Sequence, residues 1–160
     1  MVELNGTELT IEQVMAVARH KEQVRISEPA KQKIDRARAY VDEKLAQKAV
    51  IYGLTTGFGK FSDTFVPEQE TAALQRNLII SHACGMGAPL PREVVRGAML
   101  LRCNALARGN SGIRLSTLET LLAMLNRGVH PVVPEKGSLG ASGDLAPLSH
   151  IVLVMLGEGE

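Results

Sequence analysis

Apolar positions along this chain recur at helical spacing far more often than at strand spacing. Between Ser27 and Lys48 they fall at Ala30, Ile34, Ala37, Val41 and Leu45, a period of about 3.6 residues. Ser27 precedes that run as a cap, and Pro29 sits in its first turn, where a missing N–H is tolerated. The same reading predicts a helix capped by Thr10 and running through Ala18, one from Pro67 to about Ala83, and one from Pro91 to about Arg108. A further helix, capped by Ser116, carries Leu118, Leu121, Leu122 and Leu125 and stops at Gly128. The last follows Asp144 and runs apolar to Leu156. Only Val2 to Leu4, before the Asn5-Gly6 turn signal, reads as extended. Two connections are long for a helical protein: Tyr52 to Val66, with glycines at 53, 57 and 59, and Pro131 to Gly143. The expected class is therefore mainly all-α, with long functional loops and at most a short N-terminal strand. No internal repeat or linker divides residues 1–160, which read as a single domain.

Composition narrows the function by exclusion. Lys and Arg number 18 against 17 Asp and Glu, a net charge of +1, so no strong field draws nucleic acid or an anionic membrane. Signs alternate from Lys31 to Lys48, as on a solvated helix face. Aromatic residues are 3% of the chain, too few for a base-stacking surface. Cys84 and Cys103 lack CxxC spacing and no signal peptide precedes them, so reduced thiols and a cytoplasmic location are expected. The longest apolar stretch, Leu145 to Leu156, is interrupted by Pro147, Ser149 and His150 and is too short for a bilayer. His20, His82, His130 and His150 are scattered without ligand spacing, so no metal is expected.

The chemically informative segment is Gly137-Ser138-Leu139-Gly140-Ala141-Ser142-Gly143-Asp144-Leu145-Ala146-Pro147-Leu148. Within it, Ala141, Ser142 and Gly143 can cyclise. The Gly143 nitrogen attacks the Ala141 carbonyl carbon, the ring loses water, and Ser142 loses a second water to become a dehydroalanine. The product is a 4-methylideneimidazol-5-one (MIO), an electrophile of a kind no ordinary side chain offers. Glycine is the least hindered nucleophile and tolerates the required backbone angles. Asp144 is a good N-cap, so the following helix would aim free N–H groups and its positive dipole end near the ring. Bare Ala-Ser-Gly, however, also reads as a plain loop between helices.

Other motifs are weaker. Gly57-Phe58-Gly59-Lys60 lacks a phosphate loop's required residues, since Leu54 and Phe61 stand where Gly and Ser or Thr belong. A nucleophile elbow needs glycine where Asp144 stands. By themselves, Tyr52 reads as a packing residue and His82 as a core histidine. His130, before Pro131, and His150, within the last helix, receive no role.

The longer string around Ala141 resembles the signature of the aromatic amino acid ammonia-lyases, which include histidine, phenylalanine and tyrosine ammonia-lyases. Ile51-Tyr52-Gly53-Leu54-Thr55-Thr56-Gly57-Phe58-Gly59 is similar to that family's tyrosine loop, and Asn77-Leu78-Ile79-Ile80-Ser81-His82-Ala83-Cys84-Gly85 to its substrate-selecting segment. The resemblance runs from about residue 3 to the C-terminus and is nearest to the histidine ammonia-lyases. Thr55 departs from the pattern, which more often has asparagine there.

The resemblance implies an ammonia-lyase that converts L-histidine to urocanate. In it, the MIO group from Ala141, Ser142 and Gly143 is the electrophile, and no external cofactor is needed. A tyrosine base needs help from its surroundings, because phenols ionise near pH 10. The resemblance gives that role to Tyr52, with Gly59 close by at the substrate and Asp144 in support. Ser81-His82 resembles the histidine-selective pattern, so His82 is the group expected to recognise the substrate imidazole. Family members are homotetramers of much longer chains. The 160 residues accordingly read as the N-terminal portion of a lyase, ending soon after the Ala-Ser-Gly loop and inactive alone. A phenylalanine or tyrosine ammonia-lyase, a 2,3-aminomutase with the same electrophile, and a non-enzymatic helical assembly fragment are the alternatives.

Overall fold

The computed structural model describes residues 1–57, 66, 68–137 and 145–160. Strand β1 (Val2–Leu4) leads into helix α1 (Ile11–Ala18) and strand β2 (Val24–Ile26), and α2 (Glu28–Ala46) follows. Then come α3 (Glu68–His82), β3 (Met86–Pro89), α4 (Arg92–Ala107), α5 (Leu115–Arg127), β4 (Pro134–Lys136) and α6 (Leu145–Met155). The mainly helical class is as the sequence predicts. To the one anticipated strand the structure adds three more, each too short for an alternating pattern to register.

Strands β1 and β2 pair in parallel, Val2 with Val24 and Leu4 with Ile26. Parallel neighbours need a crossover, and α1 supplies it. Alternation sends Val2, Leu4, Val24 and Ile26 inward, while Glu3 and Arg25 form an exposed cross-strand ion pair at 2.7 Å. Strands β3 and β4 pair antiparallel, Met86 opposite Lys136 and Pro89 opposite Pro134, with an irregularity between. Leu90 N–H extends the pairing to the Val133 carbonyl at 2.8 Å.

Two caps are as predicted. Thr10 forms a reciprocal box with Gln13, and Ser27 accepts from the Ala30 N–H. One is not: α5 begins at Leu115, with Arg114 at the cap position and no side-chain cap bond, so Ser116 lies inside the helix. Gly128 ends α5 in the left-handed conformation.

Helix α4 is the centre of the core. Val95, Met99, Leu100, Cys103 and Ala107 are buried along it, against α1, α5 and the N-terminal half of α2. The α2 stripe follows the predicted positions but fades: Ala30 and Ile34 are buried, Ala37 and Val41 half-buried, Leu45 exposed. Helices α3 and α6 pack on each other at one side. Although α6 is strongly apolar, only its Ala146 and Ile151 are buried.

Candidate active site

The turn carrying Tyr52 follows α2. Two threonines hold it. The Thr55 hydroxyl donates to the Ala49 carbonyl at 2.6 Å and accepts from the Ile51 N–H at 2.9 Å. The Thr56 hydroxyl accepts from the Gly53 N–H and donates to the Gly57 carbonyl. Both threonines are buried, while Tyr52 is 63% exposed. Thr55, where the resemblance leads one to expect asparagine, thus closes the turn with its own hydroxyl. Gly59, predicted beside Tyr52, lies outside the described residues.

His82 is the last residue of α3. Its Nδ1 lies 2.8 Å from the Leu78 carbonyl oxygen, which the Ser81 hydroxyl also reaches at 2.8 Å. A carbonyl only accepts, so Nδ1 carries the proton. In the neutral ring Nε2 is then the acceptor. The His82 ring is half-buried, positioned by its own helix rather than packed as a core histidine.

Ala141, Ser142, Gly143 and Asp144 lie outside the described residues. Their anchors do not. Segment 138–144 leaves from Gly137, after β4, and rejoins the fold at Leu145, the start of α6. Gly137 sits so close to α6 that a Cβ there would stand 2.8 Å from the Ala146 Cβ and 3.9 Å from the Gly85 Cα. Gly85 comes three residues after His82. The β3–β4 pair therefore brings Gly85, three residues past α3, beside Gly137 and the start of α6. That juxtaposition is tertiary and was not readable from spacing.

Sequence reading missed His150. Its Nε2 accepts the Gly85 N–H at 3.1 Å. Gly85 has room for it only because it lacks a side chain, since a Cβ would meet Nε2 at 2.9 Å and the Pro134 Cβ at 3.1 Å. A glycine just past a helix end was the available signal. His130 is also more constrained than its loop position suggested. Burial, followed by the charges of Arg96, Arg92 and Lys21, pushes its pKa down.

A cleft of about 620 Å³ lies elsewhere, between α2 and the α4–α5 turn. Ile51 and Leu54, on either side of Tyr52, line its edge, and Lys33, Arg36, Lys44 and Arg108 make it basic. Neither His82 nor the anchors of segment 138–144 contribute to it. No group of three His, Cys, Asp or Glu able to hold a metal occurs among the described residues. No helix among them is long and apolar enough to cross a membrane.

A mainly helical frame that pins both ends of an Ala-Ser-Gly connection beside a histidine-bearing helix end has the features of an aromatic amino acid lyase. Residues 9–160 match the model of that family, and the chain belongs to it. A histidine ammonia-lyase of Alkaliphilus oremlandii is 60% identical over 157 residues, covering 98% of this chain. The chain spans 31% of that relative's length. A histidine ammonia-lyase structure from Trypanosoma cruzi is 42% identical with a TM-score of 0.89, covering 99% of this chain and 30% of that one. An ergothionase from Treponema denticola, complexed with desmethyl-ergothioneine sulfonic acid, is 37% identical with a TM-score of 0.93, covering 99% and 32%.

Proposed function

We propose that the complete protein eliminates ammonia from L-histidine to give urocanate. The observation that carries this reading is His82, with Nδ1 committed to the Leu78 carbonyl and Nε2 left as an acceptor, three residues before Gly85, which lies against the Gly137 anchor of the Ala-Ser-Gly connection. Nε2 accepts from an imidazole N–H of the substrate, which the ring of phenylalanine does not possess. Identity of 52–60% to histidine ammonia-lyases of several bacteria supports the same substrate.

Ala141, Ser142 and Gly143 are the residues that form the MIO group. Bound there, MIO supplies an electrophilic carbon that makes the substrate readier to lose its β proton. Tyr52 takes that proton, the Cα–N bond breaks with its electron pair leaving on ammonia, and a Cα–Cβ double bond remains. Gly59 is assigned to substrate binding and Asp144 to support of the ring, and the N-terminal N–H groups of α6 favour negative charge nearby.

The complete protein works as a cytoplasmic homotetramer, and residues 1–160 alone are inactive. Exposed apolar side chains on α3, at the start of α6 and just past its end, Ile80, Leu145 and Leu156, support burial of this face by further protein. The test is ultraviolet detection of urocanate from the purified complete protein and its Ser142→Ala variant. Urocanate from the parent and none from a folded S142A supports the proposal. A β-amino acid product, turnover of phenylalanine or tyrosine but not histidine, or full activity in S142A refutes it.

A further inference from the structure

We infer that His150 is a positioning residue, which sets where His82, at the end of α3, stands relative to α6. The inference rests on the proposed histidine lyase reading and deepens it.

The two groups that must face a common substrate belong to different elements. His82 ends α3, and segment 138–144 runs into α6. Helix packing alone fixes such a pair loosely, because half-buried apolar side chains can slide. His150 replaces sliding with a directional contact: Nε2, on α6, takes the Gly85 N–H at 3.1 Å. Gly85 lies three residues beyond the end of α3, so its bond to His150 ties the chain leaving α3 to α6.

The tie is also sterically enclosed. The Gly85 Cα faces Nε2 on one side and Pro134 of β4 on the other, with no room for a methyl group. The same β4 leads to Gly137, which abuts Ala146 one turn before His150. His150, Gly85, Pro134, Gly137 and Ala146 form a closed circuit of contacts, which His82 precedes by three residues in the chain. His150 touches neither substrate nor ring in this scheme, and acts through Gly85 on His82.

Reach distinguishes the role. A glutamine at 150 places an acceptor oxygen near the Nε2 position, whereas asparagine is one bond too short. The experiment compares H150Q and H150N in the complete protein, with the parent as control. Intact mass reports ring formation, since cyclisation removes two waters, and steady-state kinetics follow urocanate. The expected result is that both variants fold and carry the ring. H150N raises KM for L-histidine about tenfold, the worth of one hydrogen bond, with kcat changed less, and H150Q stays within about twofold of the parent. Gly85 N–H exchange with deuterium accelerates in H150N only.

H150N with parental KM overturns the inference. So does equal impairment of H150Q and H150N, or a loss confined to ring formation. If H150N does not fold, H150Q carries the test: an unprotected Gly85 N–H with parental KM overturns the inference, and a protected one with parental KM upholds it. A parent that turns over another aromatic amino acid but not histidine overturns the substrate reading itself, and this inference with it.

Discussion

The Arg96 guanidinium donates to the Val17 carbonyl at 2.7 Å from one nitrogen while a second reaches the Leu125 carbonyl at 2.9 Å. A third bond, from Nε, is shared between Val17 and Ala18. Arg96 is 3% exposed, and its partners are the last-turn carbonyls of α1 and α5. The positive charge meets the negative ends of two helix dipoles and satisfies orphan acceptors of both. Burial pulls its pKa down, yet guanidinium remains charged at any physiological pH. Replacing Arg96 with Met should destabilise the fold by about 3 kcal/mol, because the Val17 and Ala18 carbonyls lose this donor in a dry site and Leu125 keeps only a long bond from Gly128. Lysine should rescue only partly, since one ammonium cannot fork between two helices. Urea midpoints of R96M and R96K check both.

Thr55 makes a separate prediction about the Tyr52 turn. Thr55→Val keeps the shape but removes the hydroxyl that joins Ala49 and Ile51. Two half-buried backbone groups lose a partner, a local cost of about 1–2 kcal/mol. In the complete protein kcat should fall at least tenfold, with the melting temperature nearly unchanged, because the turn lies away from the main core. Thr55→Asn should retain most activity. Unaltered kcat in T55V would separate the turn's geometry from catalysis.

The two cysteines should behave oppositely. Cys84 is exposed and Cys103 fully buried. Burial pushes the Cys103 thiol up to about 12. Thiol reagents should therefore label Cys84 in the folded chain and Cys103 only on unfolding. The same shift predicts pH dependence. Below pH 9, the ordinary value, folded and unfolded thiols are both protonated and the contribution is whole. From there up to about 12 the unfolded thiol ionises and the folded one does not, so stability falls as pH rises. Comparing unfolding midpoints of the parent and C103A across that range isolates the effect: the parent should decline more steeply.

His82→Phe tests recognition directly. Phenylalanine cannot accept a hydrogen bond, so KM for L-histidine should rise at least tenfold in the complete protein while ring formation persists. Turnover of L-phenylalanine should improve relative to histidine. Competition assays with both amino acids read the ratio, and an unchanged ratio would remove His82 from specificity.

Much of the helical frame was legible because its signals are local. Thr10 with Gln13 and Ser27 with Pro29 announce helix starts through bonds made within four residues. The α5 start was misplaced at Ser116 because a good cap residue attracts the reading even when a helix begins two residues earlier on Arg114. Strands β3 and β4 were read as loops, since Met-Gly-Ala-Pro and Pro-Glu-Lys have no alternation and pair only across about fifty residues of intervening chain. The same non-locality hid His150.

The amino-acid order alone determined most of the helices and the Ala-Ser-Gly triplet able to cyclise. Those properties follow from bonds within one turn or one tripeptide. Tertiary structure decided which of them meet: the β3–β4 pair and the His150–Gly85 bond bring the end of α3 to the anchors of segment 138–144. Side-chain chemistry is local to a residue, but a site is a distance between residues, and that distance is set by packing far along the chain.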